Sequence, residues 1–401
     1  MDVIGVEIFA IVGFLLAAYS IVANDAIQTL GTFLASNARR PWWVLWLFAS
    51  GIIVGVMAYG WFQYGGDIAF DRLNRIPYPA FTDQPRPEWW ARWDPPGGVE
   101  WYHAVPPLVL LFLTRFGIPV STTFLVLTIF ALTGGAATEG VMESMLIKSV
   151  LGYLVAFGAG AVIYLLVSGF FERWVTKTKD KPHQWYWFVF QWCSTGYLWW
   201  QWLAQDLANI FVFLPRTTTE TELPDGTVET VVSFDPLFIL FATGVMLMLH
   251  ALIFATRGGE IQKIVLTKTN TTDIRAATLV DLIFGTILLF FKELNDIPMS
   301  TTWVFLGLIA GRELLITAIV RARPFPAAFF DVVSDVMRAL VGLFISVFLA
   351  IVIPRLAGAP AALEVGNMAL FGLVLAAFIA WGVMWALRKY APQANIEDSH
   401  A

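Results

Sequence analysis

The chain has a single cysteine, Cys193, in 401 residues, so it builds neither an internal disulfide nor a thiolate metal cluster. Charge is also scarce. Asp, Glu, Lys and Arg make up 14% of the residues, against roughly 25% in soluble domains. No dominant basic block is present and the net charge is −5, which excludes a nucleic-acid binder. The N-terminus, Met1-Asp2-Val3-Ile4-Gly5-Val6-Glu7, has acids where a secretory signal carries Lys or Arg, and no small-residue cleavage site follows. The first apolar run therefore reads as a retained helix. No Walker motif is found. What the chain does have is apolar surface. Hydrophobic residues make up 58% and the mean hydropathy is +0.69, a composition that excludes a disordered chain and predicts a polytopic membrane protein.

Five runs lack any charge over the length that a bilayer core of about 30 Å demands of a helix: Trp42–Tyr64, Ser149–Phe171, Gln184–Gln205, Pro236–Thr256 and Asn367–Leu387. Ile8 to about Asn37 and Ala339–Ile353 complete the set, the latter extended by a segment where Asp335 and Arg338 can pair on one face. Two apolar regions, Val105–Thr133 and Ala276–Val320, are each interrupted by charge followed by Ile-Pro: Arg115 before Ile118-Pro119, and Lys292-Glu293 with Asp296 before Ile297-Pro298. Proline breaks the helix ladder and disfavours helix just before it. Both regions read as re-entrant hairpins of two half-helices, tolerated where the tips sit in protein or line a wet cavity.

Loop charges set an orientation. Arg39 and Arg40, the basic stretch 172–183, and Arg257–Arg275 read as cytoplasmic by the positive-inside rule. The Pro/Trp-rich loop Gly65–Tyr102 and the acidic loop Arg216–Asp235 read as external. With neither hairpin crossing, the seven spans alternate without conflict, the N-terminus lies outside and Arg388-Lys389 inside.

The strongest signal is self-similarity. Ile118-Pro119-Val120-Ser121-Thr122-Thr123 recurs as Ile297-Pro298-Met299-Ser300-Thr301-Thr302, and Ala23-Asn24-Asp25 is echoed by Ala204-Gln205-Asp206. Asp25 precedes Ser121 by 96 residues, and Asp206 precedes Ser300 by 94. An odd number of crossings in the first half inverts the second. The predicted fold class is thus all-α and polytopic, an inverted-topology repeat with two re-entrant helical hairpins, whose sites fall near the midplane at discontinuous helices. The first repeat covers 1–171, with spans at about 8–37, 42–64 and 149–171 and a hairpin at 105–133. A cytoplasmic linker covers 172–183. The second repeat covers 184–353, with spans at 184–213, 236–256 and 327–353 and a hairpin at 276–320, and an extra span follows at 367–388.

These motifs resemble the signature of the inorganic phosphate transporter family, sodium- or proton-coupled phosphate permeases that include some sulfate permeases. That signature is a repeated Gly-Ala-Asn-Asp-x-x-Asn-Ala-x-Gly-Thr segment, each copy followed later by Pro-x-Ser-Thr-Thr-His. Here the first copy reads Val22-Ala23-Asn24-Asp25-Ala26-Ile27-Gln28-Thr29-Leu30-Gly31-Thr32, and the second Leu203-Ala204-Gln205-Asp206-Leu207-Ala208-Asn209-Ile210. Val22 and Leu203 stand where the family has glycine, Gln28 and Gln205 where it has asparagine, and Phe124 and Trp303 where it has histidine. The resemblance marks a distant member and implies Na⁺ coordination around the two aspartates.

From the residues themselves, an aspartate inside an apolar helix is costly unless it faces a cavity and binds something. Asp25 and Asp206, with Asn24, Gln28, Gln205 and Asn209, offer hard oxygens suited to a small cation. Ser121, Thr122, Thr123, Ser300, Thr301 and Thr302 follow helix-starting prolines, where hydroxyls and open backbone N–H groups either cap the helix or hold an anion. Arg115 and Lys292, at the predicted hairpin tips, either attract the anion or pair with nearby acids. His250 reads as a hydrogen-bonded structural histidine, the Trp185–Trp202 stretch as interfacial or packing, and the glycines from Gly152 to Gly169 as close helix packing.

The reading that follows is a secondary active transporter, not an enzyme, with no cofactor beyond Na⁺ or H⁺ as coupling ion. It sits multi-pass in the plasma or inner membrane and moves a small inorganic oxyanion, phosphate favoured, with sulfate as the alternative. A membrane-embedded enzyme acting on a lipid or phosphorylated carrier, and an anion channel or sensor, are the competing readings. The external loop is a candidate homodimer contact.

Overall fold

The computed structural model describes residues 2–3, 6–76, 78–79, 98–115, 120–133, 140–178, 184–222, 228–256, 273–293, 300–320, 324–357 and isolated positions between 372 and 385. After a two-stranded N-terminal turn (β1 Asp2–Val3, β2 Val6–Glu7), the first half holds α1 (Ile8–Ser36), α2 (Trp42–Gln63), a short 3-10 turn (Trp101–Ala104), α3 (Val105–Arg115), α4 (Thr122–Thr133) and α5 (Val141–Lys177). The second half holds α6 (Trp185–Phe211), the antiparallel ribbon β3 (Arg216–Glu222) and β4 (Val228–Phe234), α7 (Pro236–Ala255), α8 (Ile274–Glu293), α9 (Thr301–Val320) and α10 (Phe325–Leu356).

Six of the described helices are long and apolar enough to cross a membrane: α1, α2, α5, α7, α9 and α10. The chain is an all-α multi-pass membrane protein. α6 has 27 residues, about 40 Å at 1.5 Å per residue, but its Trp, Tyr and Gln side chains lower its mean hydropathy. Four points refine the sequence reading. α9, predicted as one arm of a hairpin, is by itself long and apolar enough to span. α5 runs from Val141 to Lys177 rather than 149–171, so much of the predicted linker 172–183 is helical; long basic side chains carry their charge to water while their stems stay on the helix. Most of the acidic stretch 216–235 is a strand pair, since the Thr-rich β3 and the Val228, Val231 and Val232 of β4 suit extended backbone. The span predicted at 367–388 falls mostly outside the described residues, with Phe378 set against Phe344 at 6.3 Å.

Helix starts follow local chemistry. Asp235 caps α7 by accepting the Leu237 N–H at 2.8 Å, with Pro236 at the first helical position. Arg338 and Asp335 pair along α10 at 3.7 Å, as their spacing predicts.

Segments read as cytoplasmic gather at one end. Asn37 donates to Gln191 Oε1 at 2.9 Å, Arg40 lies over the Trp192 ring, and Arg275 reaches Thr178 Oγ1 at 2.5 Å and the Val175 carbonyl at 3.1 Å. Segments read as external gather at the other. The Phe234 N–H meets the Gly66 carbonyl at 3.2 Å, Arg216 donates to the Ile76 carbonyl at 2.6 Å, and Phe130 packs on Phe213.

The packing is crossed between the halves: α4 lies on α10, and α9 lies on α5. The second contact is close because glycines open it. A Cβ on Gly160 would come 2.7 Å from the Leu308 carbonyl oxygen, and Cβ atoms on Gly307 and Gly311 would fall on the Tyr153 and Phe157 carbonyls. This is small-residue packing between helix backbones. Within the first half, His103 Nε2 lies 3.3 Å from Thr133 Oγ1, so the start of α3 and the end of α4 sit together. At the opposite ends, Thr114 donates to Asn24 Oδ1 at 3.4 Å and the Val120 carbonyl accepts from Asn24 Nδ2 at 3.4 Å. In the second half, α8 begins beside Thr178 and reaches Gln205 at Leu288, where Gln205 Nε2 donates to its carbonyl at 3.4 Å.

Candidate functional site

Both intramembrane aspartates are fully buried, and they are near enough to act on each other electrostatically. Asp25, on α1, accepts from Asn24 Nδ2 at 2.7 Å on one oxygen and from Thr122 Oγ1 at 2.8 Å on the other. Asp206, on α6, accepts from Asn209 Nδ2 at 2.6 Å and from Thr123 Oγ1 at 3.5 Å, both on Oδ1, and the Thr301 hydroxyl faces the same carboxylate. The two half-sites interlock. Asn209 Nδ2 also approaches the hydroxyls of Thr122 at 3.4 Å and Thr123 at 3.2 Å, although those threonines belong to the first half.

The helix starts of α4 and α9 meet at the same place. Thr302 Oγ1 donates to the Val120 carbonyl at 3.3 Å, which ties one Ser-Thr-Thr cluster to the other. Within each cluster the roles divide alike. Ser121 Oγ accepts the Phe124 N–H and Ser300 Oγ accepts the Trp303 N–H, each at 3.2 Å, so both serines cap their helices. Of the threonines that follow, Thr122, Thr123 and Thr301 face the aspartates, whereas Thr302 turns to the Val120 carbonyl. A carboxylate pair and three threonine hydroxyls, from α1, α6 and the starts of α4 and α9, therefore share one buried, oxygen-rich centre.

Two acceptors in this cluster have no hydrogen-bond partner among the described residues: Asp206 Oδ2 and Asn209 Oδ1. Leaving a buried carboxylate oxygen unpaired is expensive. In the first half the equivalent carboxylate has both oxygens satisfied, so among the described residues of this cluster the open acceptors lie on the second half. They are hard oxygens, and they fit a small cation.

Gln205 turns away from the cluster to the Leu288 carbonyl. The side chains of Gln28, Arg115 and Lys292 lie outside the described residues. Phe124 and Trp303 lie 6.5 Å apart, ring centre to ring centre, between the two helix starts. His250 is buried away from this centre, with Nδ1 2.8 Å from the Met246 carbonyl and its ring edge-on to Trp199. The tryptophan run divides by position: Trp185 is 74% exposed, whereas Trp199 and Trp202 are buried and stacked.

Two buried groups escaped the sequence reading. Arg72 lies in the stretch 65–102 that reads as an external loop, yet it is 2% exposed and its Nε donates to the Ala204 carbonyl at 2.8 Å, two residues before Asp206. No periodicity marks it. Asp281, on α8, accepts from Thr32 Oγ1 at 2.7 Å and Thr195 Oγ1 at 2.5 Å, joining three helices. It could have been found as a lone acid in an apolar run.

These features define a multi-pass membrane protein built around a buried centre of carboxylates, amides and hydroxyls. No family model matches the chain, and no curated protein sequence matches it. Among solved structures it is similar to one described as the sodium-dependent phosphate transporter, at 17% identity over 95% of this chain and 98% of that chain, with a TM-score of 0.48.

Proposed function

We propose that the protein is a secondary active transporter that couples a small cation, Na⁺ or H⁺, to a small inorganic oxyanion, with phosphate as the favoured substrate. The observation that carries this reading is the junction of Asp25 and Asp206 with Thr122, Thr123 and Thr301, where two buried acceptor oxygens are left open. Two carboxylates in electrostatic reach inside an apolar interior call for positive charge beside them. Asp206 Oδ2 and Asn209 Oδ1 would hold the cation. The N-terminal turns of α4 and α9, with their positive dipole ends and hydroxyls, would hold the anion. Hydroxyls both donate and accept, so they serve phosphate and sulfate alike.

The crossed packing and the contact between the start of α3 and the end of α4 support an inverted repeat with re-entrant hairpins, in which rocking of the halves exposes the site alternately. The basic end containing Arg40 and Arg275 would face the cytoplasm.

The test is uptake of radiolabelled phosphate and sulfate, side by side, into proteoliposomes with and without a Na⁺ gradient. Concentrative, cation-driven uptake that falls by at least tenfold in both Asp25→Asn and Asp206→Asn supports the reading. Purely downhill flux points to a channel, and chemical conversion of the substrate points to an enzyme.

A further inference from the structure

The chain segment after α2 does something unusual for a loop between membrane helices: it drives a charge inward. Phe70 and Asp71 are consecutive non-glycine residues in the left-handed region, at φ 57° and 62°. Each such residue costs roughly 1–2 kcal/mol, and strain of this kind persists only where the surroundings enforce it. Here they do. Both oxygens of Asp67 are used to pin the turn, one accepting the Ala69 N–H and the other the Asp71 N–H, each at 2.7 Å. The Phe70 ring is wedged against Tyr64 at 5.1 Å and Tyr59 at 6.2 Å. Gly60 leaves the room: a Cβ there would stand 3.2 Å from the Asp67 carbonyl oxygen and from Ile68 Cα.

The outcome of this turn is the placement of Arg72. Its side chain is buried, its Nε is anchored on the Ala204 carbonyl, and its charge acts on Asp206. A guanidinium stays protonated even when buried, so this is a permanent positive charge beside the second aspartate. Neither repeated motif contains it.

We propose that Arg72 is an anion-recognition residue, a fixed positive charge that the external turn delivers to the second half-site, where it attracts the oxyanion and competes with the coupling cation for Asp206. The inference rests on the transporter reading and adds a specificity-determining residue to it. It gives the second half-site a charge of its own. It also gives the outer turn a purpose that explains its strain, since relaxing Phe70 and Asp71 to ordinary backbone would re-aim the guanidinium.

The sign of the effect on each ligand distinguishes this role from simple structural pairing. Removing a positive charge beside Asp206 should weaken anion binding and tighten cation binding, because Coulomb terms of opposite sign apply. Purified Arg72→Gln, in detergent, would be tested by scintillation proximity for radiolabelled phosphate at saturating Na⁺ and for radiolabelled sodium without anion. We expect the phosphate half-saturation concentration to rise at least tenfold and that for sodium to fall. Arg72→Lys keeps the charge without the planar fork, so phosphate binding should weaken by only a few-fold and sodium binding should stay unchanged; this variant decides the matter if Arg72→Gln does not fold. Phosphate affinity within twofold of wild type in folded Arg72→Gln would overturn the proposal. So would loss of both affinities together, in either variant, while the protein elutes as a single folded species. Wild-type protein that binds neither phosphate nor sulfate would overturn the transporter reading itself, a result visible before any variant is made.

Discussion

Gly311 offers the sharpest test of how the site is held. α9 lies so near α5 that a Cβ at this position would fall on the Phe157 carbonyl oxygen, and would stand 3.0 Å from the Ala161 nitrogen and 3.1 Å from the Phe157 carbonyl carbon. All three are backbone atoms, so no side-chain rotation relieves the clash and the helices themselves must part. Overpacking of this kind costs about 1–3 kcal/mol, and the rigid partner places Gly311→Ala at the upper end. Alanine returns about 1 kcal/mol through helix propensity. The net expectation is a loss of about 2 kcal/mol. The cost extends to the site, because Thr301 and Thr302 begin the same helix and move with it. Gly51→Ala is the control, since a Cβ there meets nothing within 4 Å. Fluorescence-detected size exclusion after graded heating should show Gly311→Ala melting well below wild type, Gly51→Ala unchanged or slightly higher, and weaker phosphate binding in the first alone. A Gly311→Ala protein as stable as Gly51→Ala would refute the backbone-contact reasoning.

Burial pushes the Asp67 carboxyl up to about 6, although the Ala69 and Asp71 N–H groups pull the other way. The folded state therefore holds the proton more tightly than the unfolded state, so stability is highest below pH 4 and falls by about 3 kcal/mol as pH rises from 3 to 7, about 2 kcal/mol of it between pH 4 and 6. Asp67→Asn should flatten that slope in thermal melts recorded across the window, and an unaltered slope would count against it. Asp281→Ala strands the Thr32 and Thr195 hydroxyls at the meeting of α1, α6 and α8. A loss of about 1–3 kcal/mol should appear in denaturant titrations. In a Cys193→Ala background, Thr218→Cys and Lys177→Cys should react with a membrane-impermeant maleimide from opposite sides; labelling of both from one side would break the topology.

Much of this was legible in the chain because apolar length and duplicated motifs are local signals. Helices α2 and α7 begin and end almost where charge-free runs do, since nothing competes with the bilayer for those residues. Asp25, Asp206, Thr122, Thr123 and Thr301 stand out in the chain because their motifs are duplicated in order at near-constant spacing, but the hydrogen bonds that bring them together are written only in the folded chain. The division of labour inside each Ser-Thr-Thr cluster was not legible. Whether a serine caps or binds depends on a rotamer, and sequence carries no rotamer. Arg72 was hidden for a different reason: its burial is created by a strained turn at Phe70 and Asp71, residues whose types predict no left-handed backbone. The glycines Gly307 and Gly311 stood in plain view, yet their meaning depends on α5, which lies far away in sequence.

The exchange of helices between the halves sets a timetable for biogenesis. α4 finds its partner α10 only after about 190 further residues have been made, which at 5–20 residues per second is roughly 10–40 s of synthesis. Throughout that interval one face of α4 stays uncovered; Asp25 lacks Asp206 and Asn209 until α6 is made, and the centre lacks Thr301 and Thr302 until α9 follows. The polar centre cannot close early, and a chain that stalls between α5 and α10 presents quality control with an exposed buried acid.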